Sequence, residues 1–175
     1  MLMQRFPWLL EPNFLNILIR AVLALICGGI IGYDRNVRGQ AAGVRTHILV
    51  CLGAMIAMST GQFTSIMYGG VDATRIGASV VSGIGFLGAG TIIVTRDNRI
   101  HGLTTAAGLW TAGCIGLAIG VGFYEAAIIG TLAVFFTERM LRRVSKRIRM
   151  SHTSTHWQTA TEDAEKTDGS TEKSE

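Results

Sequence analysis

Few residues of this chain have side chains able to do chemistry, and most of them stand at the ends of apolar runs. Asp34-Arg35 closes the first run, Arg45-Thr46-His47 opens the second, and His101-Gly102-Leu103-Thr104-Thr105 opens the fourth. Two helices that begin at one face turn their N-terminal N–H groups and positive dipole ends toward it. There Arg45, Thr46, Thr104 and Thr105 would surround an anion, with Asp34 pairing Arg45. The same residues also suit helix-capping threonines and an interfacial ion pair that fixes topology, and both readings stand on the residues alone.

Arg20 is the other outlier. It lies inside the first apolar run, where a charge costs at least about 2.5 kcal/mol unless it snorkels or finds a partner. Glu125 and Gln62 are its candidate partners. No catalytic constellation is visible. His47 and His101 have no cysteine or paired carboxylate at ligand spacing, so no metal, cofactor or enzymatic activity is expected. No carboxylate falls at mid-depth, which argues against a proton-relay pump.

The elements that must position these residues are apolar. The chain has 175 residues, 49% hydrophobic and only 16% charged, with 22 glycines. Apolar runs cover Phe14 to Tyr33, Ile48 to about Met67, Ile76 to Val94, Leu103 to about Val121, and Gly122 to Thr137. About 20 such residues cross the ~30 Å hydrocarbon core as a helix. The expected fold is therefore an all-α membrane protein, a bundle of about five transmembrane helices. The fifth run is the weakest, because Glu125 sits one turn in.

Sidedness follows from Lys and Arg. The segments 34–47, 95–101 and 138–150 carry nearly all the arginines, while the opposite side holds only Arg5 and Arg75. The positive-inside rule then places the N-terminus outside and the C-terminus in the cytoplasm, in a plasma (inner) membrane.

The third run, 76–94, is read as the central helix against which the others pack. Gly83, Gly85, Gly88 and Gly90 would let neighbouring backbones approach, as would Gly28 and Gly32 on the first helix and Gly116 and Gly120 on the fourth. Gly83-Ile-Gly85-Phe-Leu-Gly88 matches a dinucleotide-binding pattern, but no strand precedes it and no acid follows at the right distance. Cys27, Cys51 and Cys114 are odd in number and far apart, which suggests buried thiols rather than disulfides.

Outside the bundle, residues 1–13 form an interfacial lead with Phe6, Trp8 and two prolines. Ala24-Leu-Ile-Cys27 has the bulky Ile26 before its cysteine, so cleavage there as a lipoprotein signal is not expected. Residues 138–150 read as a basic amphipathic helix along the inner leaflet, and 151–175 as a disordered polar tail. No nucleic-acid module accompanies the basic segment. The expected partners are the lipid bilayer and either another membrane protein or a second copy of the chain.

Four blocks carry a family resemblance: Gly32-Tyr-Asp34-Arg35, Ala42-Gly-Val-Arg45-Thr46-His47-Ile-Leu-Val-Cys-Leu-Gly53, Gly83-Ile-Gly-Phe-Leu-Gly-Ala-Gly90-Thr-Ile and Gly102-Leu-Thr-Thr-Ala-Ala107-x-x-Trp110. In order over roughly residues 15 to 137, they resemble the MgtC/SapB family of bacterial inner-membrane proteins. The resemblance implies a link to magnesium homeostasis and a regulatory role on partner membrane proteins. The alternative is a small oligomeric transporter or channel for magnesium or phosphate. The family usually has Glu where Asp34 stands, and well-studied members carry a folded cytoplasmic C-terminal domain that this chain is expected to lack.

Overall fold

A computed structural model describes residues 13–69, 72–96 and 100–140. The interfacial lead before residue 13, most of the basic segment 138–150 and the polar tail lie outside the described residues.

Five helices and one small hairpin make up the described chain. The helices are α1 (Phe14–Val37), α2 (Val44–Tyr68), α3 (Thr74–Ala89), α4 (Leu103–Val121) and α5 (residues 124–140). Between α3 and α4 lies an antiparallel pair, β1 (Ile93–Val94) and β2 (Ile100–His101), in the register Ile93↔His101 and Val94↔Ile100. Helices α1, α2 and α4 are each long and apolar enough to cross a membrane. The fold is an all-α membrane bundle. One compact unit ends at Phe135; of the second, which starts at Phe136, the described residues 136–140 are helical.

Helix α1 buries Asn16, Arg20, Ala24, Cys27, Gly28, Ile31, Gly32 and Arg35 in a stripe advancing by three or four residues, with Asp34 buried beside it in the last turn. Helix α2 buries His47, Cys51, Ala54, Met55, Met58 and Gly61 in the same rhythm. These periods put one face of each helix into a shared interior. There Ala24, Cys27, Ile31, Cys51, Met55, Ile115, Ile119, Tyr124 and Ala127 form one apolar cluster. The outward faces keep Leu49, Ile56, Phe63 and Ile66 exposed, as lipid-facing surfaces do.

Four glycines set the distances inside this interior. A Cβ at Gly116 would collide with the Cys51 carbonyl oxygen, and one at Gly120 would lie 2.6 Å from that of Met55. At Gly32 it would come within 2.6 Å of Val44 Cα, and at Gly28 within 2.9 Å of the His47 oxygen. Helix α2 therefore touches α1 on one side and α4 on the other at backbone distance. The central element is α2.

The stretch 76–94 differs from its expected form in two ways. It is not one helix: α3 ends at Ala89, the chain turns through Gly90 and Thr91, and Ile93–Val94 enters the hairpin. Nor is it central, because α3 buries only Gly77, Ile84 and Gly88, and Phe86 is 80% exposed. A Cβ at Gly83 or Gly85 would meet nothing within 4 Å, while Gly88 lies against Ala106 and Gly90 meets only carbonyls of its own preceding turn. An apolar run rich in glycine satisfies helix, turn and strand equally, so hydropathy alone does not mark where α3 stops. Gly102 holds the return: its φ is +92°, and a Cβ there would collide with Thr91 O.

Candidate functional site

Two polar clusters sit inside the bundle, one at each end. The first lies where α1 ends and α2 and α4 begin. Arg35, only 2% exposed, donates from Nη2 to Thr105 Oγ1 at 2.6 Å and to Gln40 Oε1 at 3.3 Å. The last turn of α1 is thereby tied to the first turn of α4. Asp34, also buried, forms an ion pair with Arg38 one helical turn on. That pairing takes the place of the expected Asp34–Arg45 pair; the i, i+4 spacing makes the nearer arginine the geometric match.

His47 is fully buried. It lies against Gly32 of α1, where a Cβ would come within 3.1 Å of its own Cβ. Its Nδ1 stands 2.9 Å from the Gly43 carbonyl oxygen, so Nδ1 carries the donated proton and, in the neutral ring, Nε2 is an acceptor. That Nε2 and Asp34 Oδ2 are both buried without a hydrogen bond among the described residues. A buried acceptor without a donor costs about 1–3 kcal/mol. Such groups are few in native structures, and each has a specific cause, such as strain, a chemical role or a bound water.

The structure thus brings Asp34, Arg35, His47 and Thr105 into the interior of one end. Arg45, Thr46 and Thr104 belong to the same end but are exposed. Thr104 and Thr105 are neighbours about 100° apart on α4, so only one of them faces inward. His101 stands in β2, exposed, rather than in the first turn of α4. Arg38 and Gln40 join the cluster without having been singled out in the sequence. The signal for Arg38 was its spacing from Asp34; for Gln40, in the turn after α1, there was none.

The second cluster surrounds Arg20, about 9 Å along α1 and 2% exposed. Its Nη1 donates to the Gly120 carbonyl oxygen at 2.7 Å and to Gln62 Oε1 at 2.9 Å, and lies 3.4 Å from Ser59 Oγ. Its Nε reaches the Tyr124 hydroxyl at 3.4 Å. Gln62 was one of the two expected partners, and the other, Glu125, directly follows Tyr124 and is half-buried.

The Gly120 oxygen accepts these bonds because α4 stops there. Gly122 turns left-handed at φ 89°, its N–H bonds to Ile119 O at 3.0 Å, and Phe123 N–H reaches Ala118 O at 2.8 Å. Past such a reversal the last helical carbonyls have no amide four residues on. Arg20, with Ser59 donating at 3.2 Å, fills that place and sets a positive charge on the negative end of α4.

Among the described residues no group of three His, Cys, Asp or Glu side chains could hold a metal ion. The cysteines Cys27 and Cys51 are buried free thiols and Cys114 is half-buried.

Comparison with known proteins places these features in a family. A profile of the MgtC family matches residues 21–147. Protein MgtC of Salmonella typhimurium is 38% identical over 140 residues, 80% of this chain and 57% of that protein. Protein MgtC of Brucella abortus is 40% identical over 119 residues, 68% of this chain and 48% of that protein. YhiD of Escherichia coli, whose name carries a provisional magnesium-transporter assignment, is 40% identical over 136 residues, 75% of this chain. The matched segment spans 63% of YhiD's length, so the chain corresponds to less than two thirds of each of these relatives. No solved structure matches it. A profile that covers most of the bundle and relatives at about 40% identity across it lead to one conclusion: the chain belongs to the MgtC family.

Proposed function

We propose that this protein is a non-enzymatic protein of the bacterial inner membrane that serves magnesium homeostasis by regulating partner membrane proteins. On this reading its N-terminus is outside. The end of the bundle that carries Asp34, Arg35, Arg45, His47 and Thr105 faces the cytoplasm, as the arginine distribution favours. The names of the relatives support the link to magnesium.

One observation carries the choice of regulator over conduit. The interior between α1, α2 and α4 is closed by glycine-mediated backbone contact and filled by Ala24, Cys27, Ile31, Cys51, Met55, Ile115 and Ile119. Among the described residues, an ion crossing it would find neither carboxylate nor polar lining between the Arg20 cluster and the Arg35 cluster. A hydrated or carboxylate-bound magnesium ion needs oxygen ligands along its way. The provisional label of the Escherichia coli relative favours the other reading, a small oligomeric transporter whose pathway runs between copies.

Magnesium flux into proteoliposomes that contain only this protein separates the two. The expected result is no flux above empty vesicles for wild type and for Asp34→Ala. Flux in wild type that Asp34→Ala abolishes would make the protein a transporter.

A further inference from the structure

A hollow of about 550 Å3 runs along the outside of the bundle between α2 and α3. Its floor is the buried pair Ala54 and Ile84, and its rims are the exposed Leu49 and Leu87. Arg45 and Thr46 stand at one end, and everything beyond them is apolar. From Arg45 to Ala54 the hollow follows about 13 Å of helix, so it is elongated along α2.

Two further observations say what it is for. Gly53 and Gly83 line it from opposite walls, and a Cβ at either would meet nothing within 4 Å. They differ in this from Gly28, Gly32, Gly116 and Gly120, whose bareness the bundle itself requires. The side chains missing at 53 and 83 leave room in the hollow and serve no contact within the chain. The second observation is charge. Among the described residues no hydrogen bond or ion pair engages Arg45 or Thr46, and the nearby carboxylate, Asp34, is held by Arg38. An uncompensated guanidinium at the mouth of an apolar groove, in a protein surrounded by lipid, is complementary to an amphiphile with an anionic head.

We propose that this groove binds an anionic phospholipid, with one acyl chain lying over Gly53 and Gly83 and the phosphate on Arg45 and Thr46. A zwitterionic phospholipid offers the same phosphate, but its ammonium group stands close to Arg45, so the site discriminates by headgroup charge.

The test is lipid binding to the full chain in detergent, read by native mass spectrometry with phosphatidylglycerol and phosphatidylcholine as probes. Wild type is expected to retain one phosphatidylglycerol about tenfold more tightly than phosphatidylcholine, the effect of one charge-assisted contact. Arg45→Gln should equalise the two lipids, and Gly83→Leu should lose both. Gly85→Leu, on the same helix but outside the groove, should bind as wild type does. Gly53→Leu fills the groove from the other wall and repeats the test should Gly83→Leu not fold. Equal retention of both lipids by wild type, or undiminished phosphatidylglycerol binding by either groove-filling variant, overturns the proposal. So does a disulfide between Leu87→Cys copies in membranes, which would give the groove to a second copy of the chain.

Discussion

Arg35 and Thr105, 70 residues apart, meet at 2.6 Å inside the bundle, and their bond fastens the end of α1 to the start of α4. Both side chains are buried, so the hydroxyl is the counterpart that lets a guanidinium stay out of water. Thr105→Val keeps the shape and removes the acceptor. It should lower stability by about 1–3 kcal/mol, whereas Thr105→Ser should stay near wild type. Reversible unfolding in mixed micelles, followed by circular dichroism, reads the difference.

Arg20 caps the C-terminal end of α4 from another helix, and its fork uses two nitrogens, Nη1 toward Gly120 O and Gln62 and Nε toward the Tyr124 hydroxyl. Lysine has one nitrogen and cannot repeat that span. Arg20→Lys should therefore cost about 1 kcal/mol and Arg20→Leu about 2 kcal/mol or more, both still inserted. A thermal melt of the two purified variants gives the order; equal Tm values for wild type and Arg20→Leu would refute the capping role.

Glycine substitutions should divide by what a Cβ meets. Gly116→Ala drives a methyl into the Cys51 carbonyl and should destabilise by about 1–3 kcal/mol, the range for overpacked cores. Gly53→Ala adds the same methyl to open space and should leave Tm unchanged or slightly raised. The two variants, melted side by side, check the claim that α2 and α4 meet backbone to backbone.

The loop before α3 carries a pH response. Asp72 Oδ1 accepts from the Thr74 amide at 2.9 Å and from its hydroxyl at 2.6 Å, and these bonds hold the carboxyl below its usual pKa of 3.8. A depressed folded pKa means stabilisation that is complete above the ordinary value and lost as pH falls through the folded one. The start of α3 should hold at pH 5 and loosen below 3.8. Carboxyl titration by NMR should place Asp72 below the ordinary aspartate midpoint in wild type and return it upward in Thr74→Val.

Much of this was legible from residue types. The apolar runs mark α1, α2 and α4 to within a few residues, because in lipid a helix is nearly the only way to satisfy the backbone. The glycine pairs 28/32 and 116/120 pointed to close helix contact, and both meet neighbouring backbone. The same reasoning failed at Gly83 and Gly85, since a bare residue allows close approach without requiring it. Gln62 was found by matching depth along two helices. The Gly120 carbonyl was not, because every residue has one and only the left-handed turn at Gly122 frees it. Asp34 was assigned a partner across the loop although Arg38, one turn away, was the simpler geometric choice.

The glycine contacts also determine how this bundle deforms. Gly116 and Gly120 on α4, and Gly28 and Gly32 on α1, leave no room for even a Cβ against the backbone of α2, so any shift that put a larger residue in their place would force the helices apart. Gradual shear among α1, α2 and α4 is thus blocked, and these three helices behave as a single rigid body. Helix α3, continued by the hairpin, buries only Gly77, Ile84 and Gly88, so far less backbone contact ties it to that body.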